Sequence, residues 1–290
     1  MIPDPVLKNN ADNGDVESQY RLGMYFKQEK DLTNEINAKK YLQLAADQNH
    51  QEAIFELGKV HLEGTEGSSE KAYEYLNQAV EQNHLEAPFY LGNCYFHGIG
   101  VKENKVKAAE CYHKAAINGV VDGMYRLAEC YKFGHGVKIN LQQALFFFSA
   151  AANRDHPLAK YQLALYYKDH RNESEENMNK FKFYIQAAAE HKIPEALFEL
   201  GVCYKVGIGF ERDDARAFEL FFLSSSHNYP PALYYVGLCY YLGEGTHSDL
   251  SRAQYFFILA HEKGFVVKPT DSPPPKNSFF SKIAKFFGSK

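Results

Sequence analysis

The chain has 290 residues, 45% of them apolar, enough to bury a sizeable core and to argue against disorder. A formal charge of −4 supplies no broadly basic face, so no nucleic-acid partner is expected. No segment reaches the roughly 20 consecutive apolar residues that a membrane span requires.

The first ten residues, MIPDPVLKNN, have neither the basic start nor the apolar run of a secretory signal, so a cytoplasmic protein is expected. Residues 1–14 read as a lead-in. From residue 15 the sequence repeats itself. Fragments such as RLGMYF, ELGKVH, YLGNCY and ELGVCY place a Gly or Ala at Gly23, Gly58, Gly92, Ala128, Ala164, Gly201 and Gly237, with spacings of 35, 34, 36, 36, 37 and 36. Five residues earlier stands a second small residue: Ser18, Ala53, Ala87, Gly123, Ala159, Ala196 or Ala232. Three residues later stands Phe26, His61, Tyr95, Tyr131, Tyr167, Tyr204 or Tyr240. These offsets form one stripe on a helix. A glycine turn follows (GIGV, GHGV, GIGF or GEGT), then a second helix with Ala45, Ala79, Ala115, Ala151, Ala188, Ser224 or Ala260 deep within it. One such pair cannot bury both faces, so the units must stack. The expected fold is all-α, an α-solenoid of seven helix-turn-helix units over residues 15–264.

Two units lack the glycine turn. The first has QEKDLTNEIN there, and the fifth has KDHRNESEENMNK. The fifth stretch, residues 169–180, reads either as tolerated surface drift or as a projecting contact loop.

The chemistry-bearing residues are unpromising for catalysis. Cys94, Cys130, Cys203 and Cys239 share one repeat position, and Cys111 lies in a second helix. Stacked units place equivalent positions about 9–10 Å apart, too far for a disulfide, so reduced thiols are expected. No C-x-x-C and no His pair at i, i+4 occurs, so neither metal nor cofactor is expected. His50, His84 and His156 precede a unit at one offset and read as repeat-boundary residues. Glu56, Glu129 and Glu199 read as a solvated face. With no nucleophile elbow or phosphate-binding loop, the chain is not expected to be an enzyme.

After Gly264 the repeat stops. Residues 265–277 form a Pro-rich linker, and residues 278–290 form a short basic amphipathic helix. At about 100° per residue, Phe279, Phe280, Ile283, Phe286 and Phe287 share one face while Lys282 and Lys285 take the other. Three readings stay open for this tail: an anchor on an anionic membrane surface, a cap on the last unit, or a recognition motif.

The run AxxxLGxxYxxGxGV, followed by Ala-rich second helices ending in AAxxG or AAxxH, resembles the Sel-one-like repeats, relatives of the tetratricopeptide repeats. APFYLGNCYFHGIGVKENKVKAAECYHKAAINGV carries the likeness best. The resemblance covers nearly the whole chain except its ends. It implies a right-handed superhelix and a non-catalytic adaptor or scaffold that binds a protein or peptide in its concave groove. An aromatic precedes each small residue by three: Tyr20, Phe55, Phe89, Tyr125, Tyr161, Phe198 and Tyr234. In tetratricopeptide-type solenoids that position is turned toward the groove, with Lys59, Asn93, Glu129, Lys132, Lys168 and Lys205 as polar partners. The opposing reading is that the rings only pack between units. An alternative function is a peripheral membrane protein, or a bacterial effector acting in a host cell, whose main activity is lipid contact by the tail.

Overall fold

The computed structural model describes residues 4–28, 32–63 and 68–266, and the regular structure of those residues is entirely helical. They fall into two compact units, residues 1–163 and 164–290. The first contains α1 (Pro5–Asp12), α2 (Val16–Gln28), α3 (Leu32–Asp47), α4 (Gln51–Glu63), α5 (Ser69–Glu81), α6 (Ala87–His97), α7 (Lys105–Ile117), α8 (Val121–Phe133) and α9 (Leu141–Ala152). Helix α10 (Pro157–Asp169) begins in the first unit and ends in the second. The second continues with α11 (Glu175–Glu190), α12 (Pro194–Val206), α13 (Asp214–Ser225), α14 (Pro230–Leu242) and α15 (Leu250–Glu262). Consecutive helix pairs pack as helical repeats, as the spacing predicts.

The small residues mark where paired helices cross. A Cβ on Gly58 would stand 2.7 Å from Leu76 of α5, and one on Gly92 would stand 2.7 Å from Tyr112 of α7. In the second unit, Gly201 lies equally close to Phe221 and Gly237 to Phe257. A methyl group there would push the helices apart, and the large side chains filling these crossings are buried.

The turn between the helices has two glycines with separate duties. Gly98 caps α6 in the left-handed region at φ 71°, where its N–H reaches the Cys94 carbonyl. Gly100, at φ 67°, lies so close to the backbone of Ser69 that any Cβ would overlap its carbonyl, so this loop seats on the preceding pair. Asn104 then caps α7, its side chain accepting from Lys107 N, while its own N–H donates to Tyr95 O at 2.8 Å. Asn140, Asp213 and Asp249 repeat both bonds in their turns.

Two stretches are defined more closely here. The lead-in is partly helical: α1 packs Leu7 and Ala11 against Leu22 and Tyr41, with Gln19 Nε2 donating to Ala11 O at 3.1 Å. The charged stretch 169–180 is not a long loop. Only residues 170–174 separate α10 from α11, because Ser174 caps α11 and Glu175–Lys180 form its opening turns, with Lys180 paired to Glu176 at 2.5 Å. The acidic residues at its start favour helix there.

Candidate functional site

The line of aromatics divides once placed. Phe55, Tyr125 and Tyr234 are buried, whereas Tyr20, Phe89, Tyr161 and Phe198 are half-buried. At about 100° per residue, a position three before the small residue points only about 60° away from it, toward the helix crossing and not away from it. The rings accordingly pack within the core. Tyr125 lies 5.7 Å from Phe148, Phe198 lies 5.6 Å from Phe221, and Tyr234 lies 5.3 Å from Phe257. Of the seven rings, Phe55, Tyr125 and Tyr234 are thus the ones enclosed by packing.

In the first unit these rings meet the boundary histidines. His50 stacks on Tyr20 (4.7 Å), His84 on Phe55 (3.9 Å) and His156 on Tyr125 (4.6 Å). Each Nδ1 accepts the backbone N–H three residues on, from Ala53, Ala87 or Ala159, at 3.1–3.2 Å. Each Nε2 faces a carboxylate one repeat back: Glu17 (3.5 Å), Glu52 (3.2 Å) or Asp122 (3.2 Å). The hydrogen-bond pattern assigns the neutral tautomer with its proton on Nε2. Burial holds His156 below its ordinary pKa, against the opposing pull of Asp122. The shared offset was legible in the sequence. The carboxylate and ring that complete each clasp were not.

The expected polar partners are engaged in the fold. Lys132 Nζ donates to Gln162 Oε1 at 2.7 Å, and Lys168 pairs with Glu199 at 2.5 Å. Lys205 pairs with Glu244, and with Asp214 at 3.4 Å. Glu56 is buried between Lys27 and Lys59. Burial pushes its pKa up, but the two ammonium groups outweigh this and hold it below the ordinary carboxylate value. Glu56, Glu129 and Glu199 are therefore buried or half-buried partners of neighbouring residues, not a solvated face.

In the fourth pair an open face lies one step around the first helix, although Glu56 is buried at the corresponding position of the second pair. Positions two before and five after the small residue point about 160° and 140° away from it at about 100° per residue. In the fourth pair these are Arg126 and Phe133. With Glu129, Phe96, Tyr112 and His135 they line a pocket of about 130 Å³. Tyr112 is buried at its floor, its hydroxyl donating to Asn93 Oδ1 at 2.8 Å. Phe133 is 52% exposed at the rim. Phe96 meets His135 edge-on at 5.4 Å, and Lys105 Nζ lies 3.5 Å from the Phe96 ring centroid. Arg126 Nη1 donates to Glu129 Oε2 at 2.8 Å, and Tyr125 donates to Glu129 Oε1 at 2.9 Å. Sequence reasoning singled out Glu129 but passed over Arg126, Phe133 and His135, which do not recur in every unit.

The five cysteines are free, and burial raises each thiol to about 11, which leaves them unreactive near neutrality. Among the described residues, no cluster of three or more His, Cys, Asp or Glu could hold a metal ion, and no helix is long and apolar enough to cross a membrane. The tail residues Phe279, Phe280, Lys282, Ile283, Lys285, Phe286 and Phe287 lie outside the described residues.

The family model for the Sel1 repeat matches residues 16–50, 51–84, 85–120, 121–156, 194–229 and 230–265. No curated relative matches the sequence. One similar solved structure is a protective antigen of uropathogenic Escherichia coli strains displaying an SLR fold. It shows a TM-score of 0.78 and 22% identity over 91% of this chain and 57% of the antigen, so the chain spans a little over half the antigen's length. Another is a Sel1 repeat protein from Oxalobacter formigenes, with a TM-score of 0.66 and 20% identity over 97% of this chain and 90% of that one. At such identities the likeness is one of fold. The six matched segments carry the assignment further: the chain belongs to the Sel1 repeat family.

Proposed function

We propose that this chain is a non-catalytic adaptor that binds a protein partner along the first-helix face of its repeats, with residues 157–193 serving as a diverged seventh repeat. Sel1 repeats generally mediate protein–protein interaction. The observation that carries the reading is the pocket around Arg126 and Phe133. It lies on the first-helix side and leaves a large aromatic side chain half-exposed. Exposed aromatics beside a guanidinium are the residue types that dominate binding energy at interfaces. The tail is a candidate for placing the adaptor at an anionic membrane surface, on the strength of its aromatic face and basic residues.

A photo-crosslinking residue tests this in cells. Placed at His97 or Phe133, both exposed, it is expected to capture a discrete partner; placed at Glu110 or Gln142 on second helices, it is not. Capture from the second helices alone would defeat the first-helix reading. The same experiment with a chain ending at residue 265 separates the alternatives. A partner kept without residues 266–290 belongs to the repeats. A partner or membrane fraction lost with them makes lipid or tail contact the main activity.

A further inference from the structure

The pocket of the first unit has a size and a charge pattern that define what can fill it. We infer that it takes one aliphatic side chain of a partner segment, with a carboxylate one or two residues along that pairs with Arg126. This rests on the first-helix reading and names the partner chemistry within it.

Volume sets the first limit. At about 130 Å³ the pocket is smaller than the roughly 300–1,000 Å³ of small-molecule and cofactor sites. It has space for about four waters, or for one branched aliphatic chain, but not for an indole. Its walls suit that chain: Tyr112 forms a buried floor, Phe96 and His135 meet edge to face at 67°, and Phe133 stands half-open at the rim. Closing Phe133 over an aliphatic group would bury apolar surface now facing water.

Charge sets the second limit. Both oxygens of Glu129 already accept a bond, one from Tyr125 and one from Arg126. Arg126 spends Nη1 on Glu129, yet a guanidinium carries five N–H donors, and its side chain is 45% exposed. Lys105 lies on the Phe96 ring, and Lys132 lies 5.1 Å from the Phe133 centroid. Three cations thus surround the pocket, against Glu129 and Glu103, and Glu103 is itself paired to Lys105 at 3.2 Å. A partner's ammonium finds occupied carboxylates; a partner's carboxylate finds a guanidinium with donors to spare.

Selection of random 12-residue peptides displayed on phage against the full chain, followed by fluorescence anisotropy of the winners, tests this. The expected winners carry Leu, Ile, Val or Met followed within two positions by Asp or Glu. Phe133→Ala and Arg126→Gln are each expected to weaken them about tenfold, as hot-spot truncations do. Both side chains are substantially exposed, so melting curves of these variants should match the parent. Arg126→Glu should abolish binding, and replacing the peptide's acid by Lys should restore it to that variant, which a purely structural role would not produce. Winners led by aromatic residues, winners indifferent to both substitutions, or no winner at all would overturn the inference. Tyr90 holds the place of Arg126 on α6, two before Gly92, and indifferent winners that weaken with Tyr90→Ala would overturn the pocket but leave the first-helix face standing. Winners that crosslink only at Glu110 or Gln142 would overturn both.

Discussion

The two compact units solve the same joint in different ways. Where one repeat hands over to the next, the first unit places His50, His84, Val120 and His156, and the second places Ile193, Tyr229 and Phe265. Three of the four joints in the first unit are polar clasps, each with a ring stack, a backbone cap and a carboxylate. The second unit uses apolar contact. Ile193 is buried, Tyr229 meets Phe198 at 5.6 Å, and Phe265 meets Tyr234 at 4.9 Å, while neither Ile193 nor Tyr229 caps its helix through the side chain. One register therefore accepts either burial or directed hydrogen bonding. Apolar burial has no proton to gain, whereas the imidazole of His156, whose Nδ1 must stay free of a proton, responds to pH.

The largest expected effect tests the apolar side of this comparison. Phe221 is fully buried, with Gly201 against its ring and Phe198 and Tyr235 at 5.6 and 5.1 Å. Phe221→Ala should cost about 3–5 kcal/mol by urea denaturation. In the second pair the same register position is Leu76, whereas Tyr112 and Phe148 hold it in the third and fourth pairs. Leu76→Ala should cost less, since the loss grows with the cavity left, at about 24 cal/mol per Å³. Equal losses would mean that the second unit's aromatic crossings relax into the space.

A smaller effect separates the units by pH. Burial is the main cause that depresses His156, with Arg126 helping and Asp122 and Glu129 opposing. Burial also depresses His61, with Lys39 and Lys71 helping. A histidine whose folded pKa is lowered binds fewer protons folded than unfolded. Its contribution is therefore complete above the unfolded value of 6.5 and is lost as pH falls below that value toward the folded pKa. In the second unit, Asp214 is depressed chiefly by its bond from Arg212, so its contribution persists down to its unfolded value of 3.8 and is lost only below it. Lowering the pH from about 7.5 to about 5.5 should reduce amide protection factors in α8 and α10 and leave α13 unchanged, as read by hydrogen-exchange mass spectrometry. A uniform drop along the chain would break the contrast.

How much of this was legible beforehand follows from what repeats. The small residues at helix crossings and the small residues of the second helices recur in every unit and the glycine turns in four of the seven, so periodicity exposes them and the fold with them. The aromatic line recurs just as faithfully, yet for packing: Phe55 and Tyr125 are buried because their offset turns them into the crossing. Periodicity reports what every repeat needs, and every repeat needs a core. Residues that serve a partner need appear only where it touches, so the pocket residues proposed here, Arg126, Phe133 and His135, carried no periodic signal. The clasps were legible only in their histidine offset: His84 and Glu52 lie 32 residues apart and meet only once the helices stack.

The smallest effect tests whether the clasp is a transferable unit. Tyr229 already stands at the joint position, Phe198 lies 5.6 Å away where Phe55 stacks on His84, and Glu195 occupies the place of Glu52 and Asp122. Glu195 is close enough to add to the burial that raises the Tyr229 pKa. Tyr229→His should therefore supply the missing imidazole, its Nδ1 accepting from Ala232 N and its Nε2 facing Glu195. A new cap contributes about 0.5–2 kcal/mol, and the apolar area lost with the phenol ring offsets much of it. Net stability near pH 7.5 should thus shift by about 1 kcal/mol or less. The informative quantity is its pH dependence. If burial outweighs Glu195 as it outweighs Asp122 at His156, protection in α14 should now fall between about pH 7.5 and pH 5.5, where the parent chain shows no such change. An unaltered pH profile would mean that the histidine clasps follow from the geometry of the first unit and do not create its response to acid.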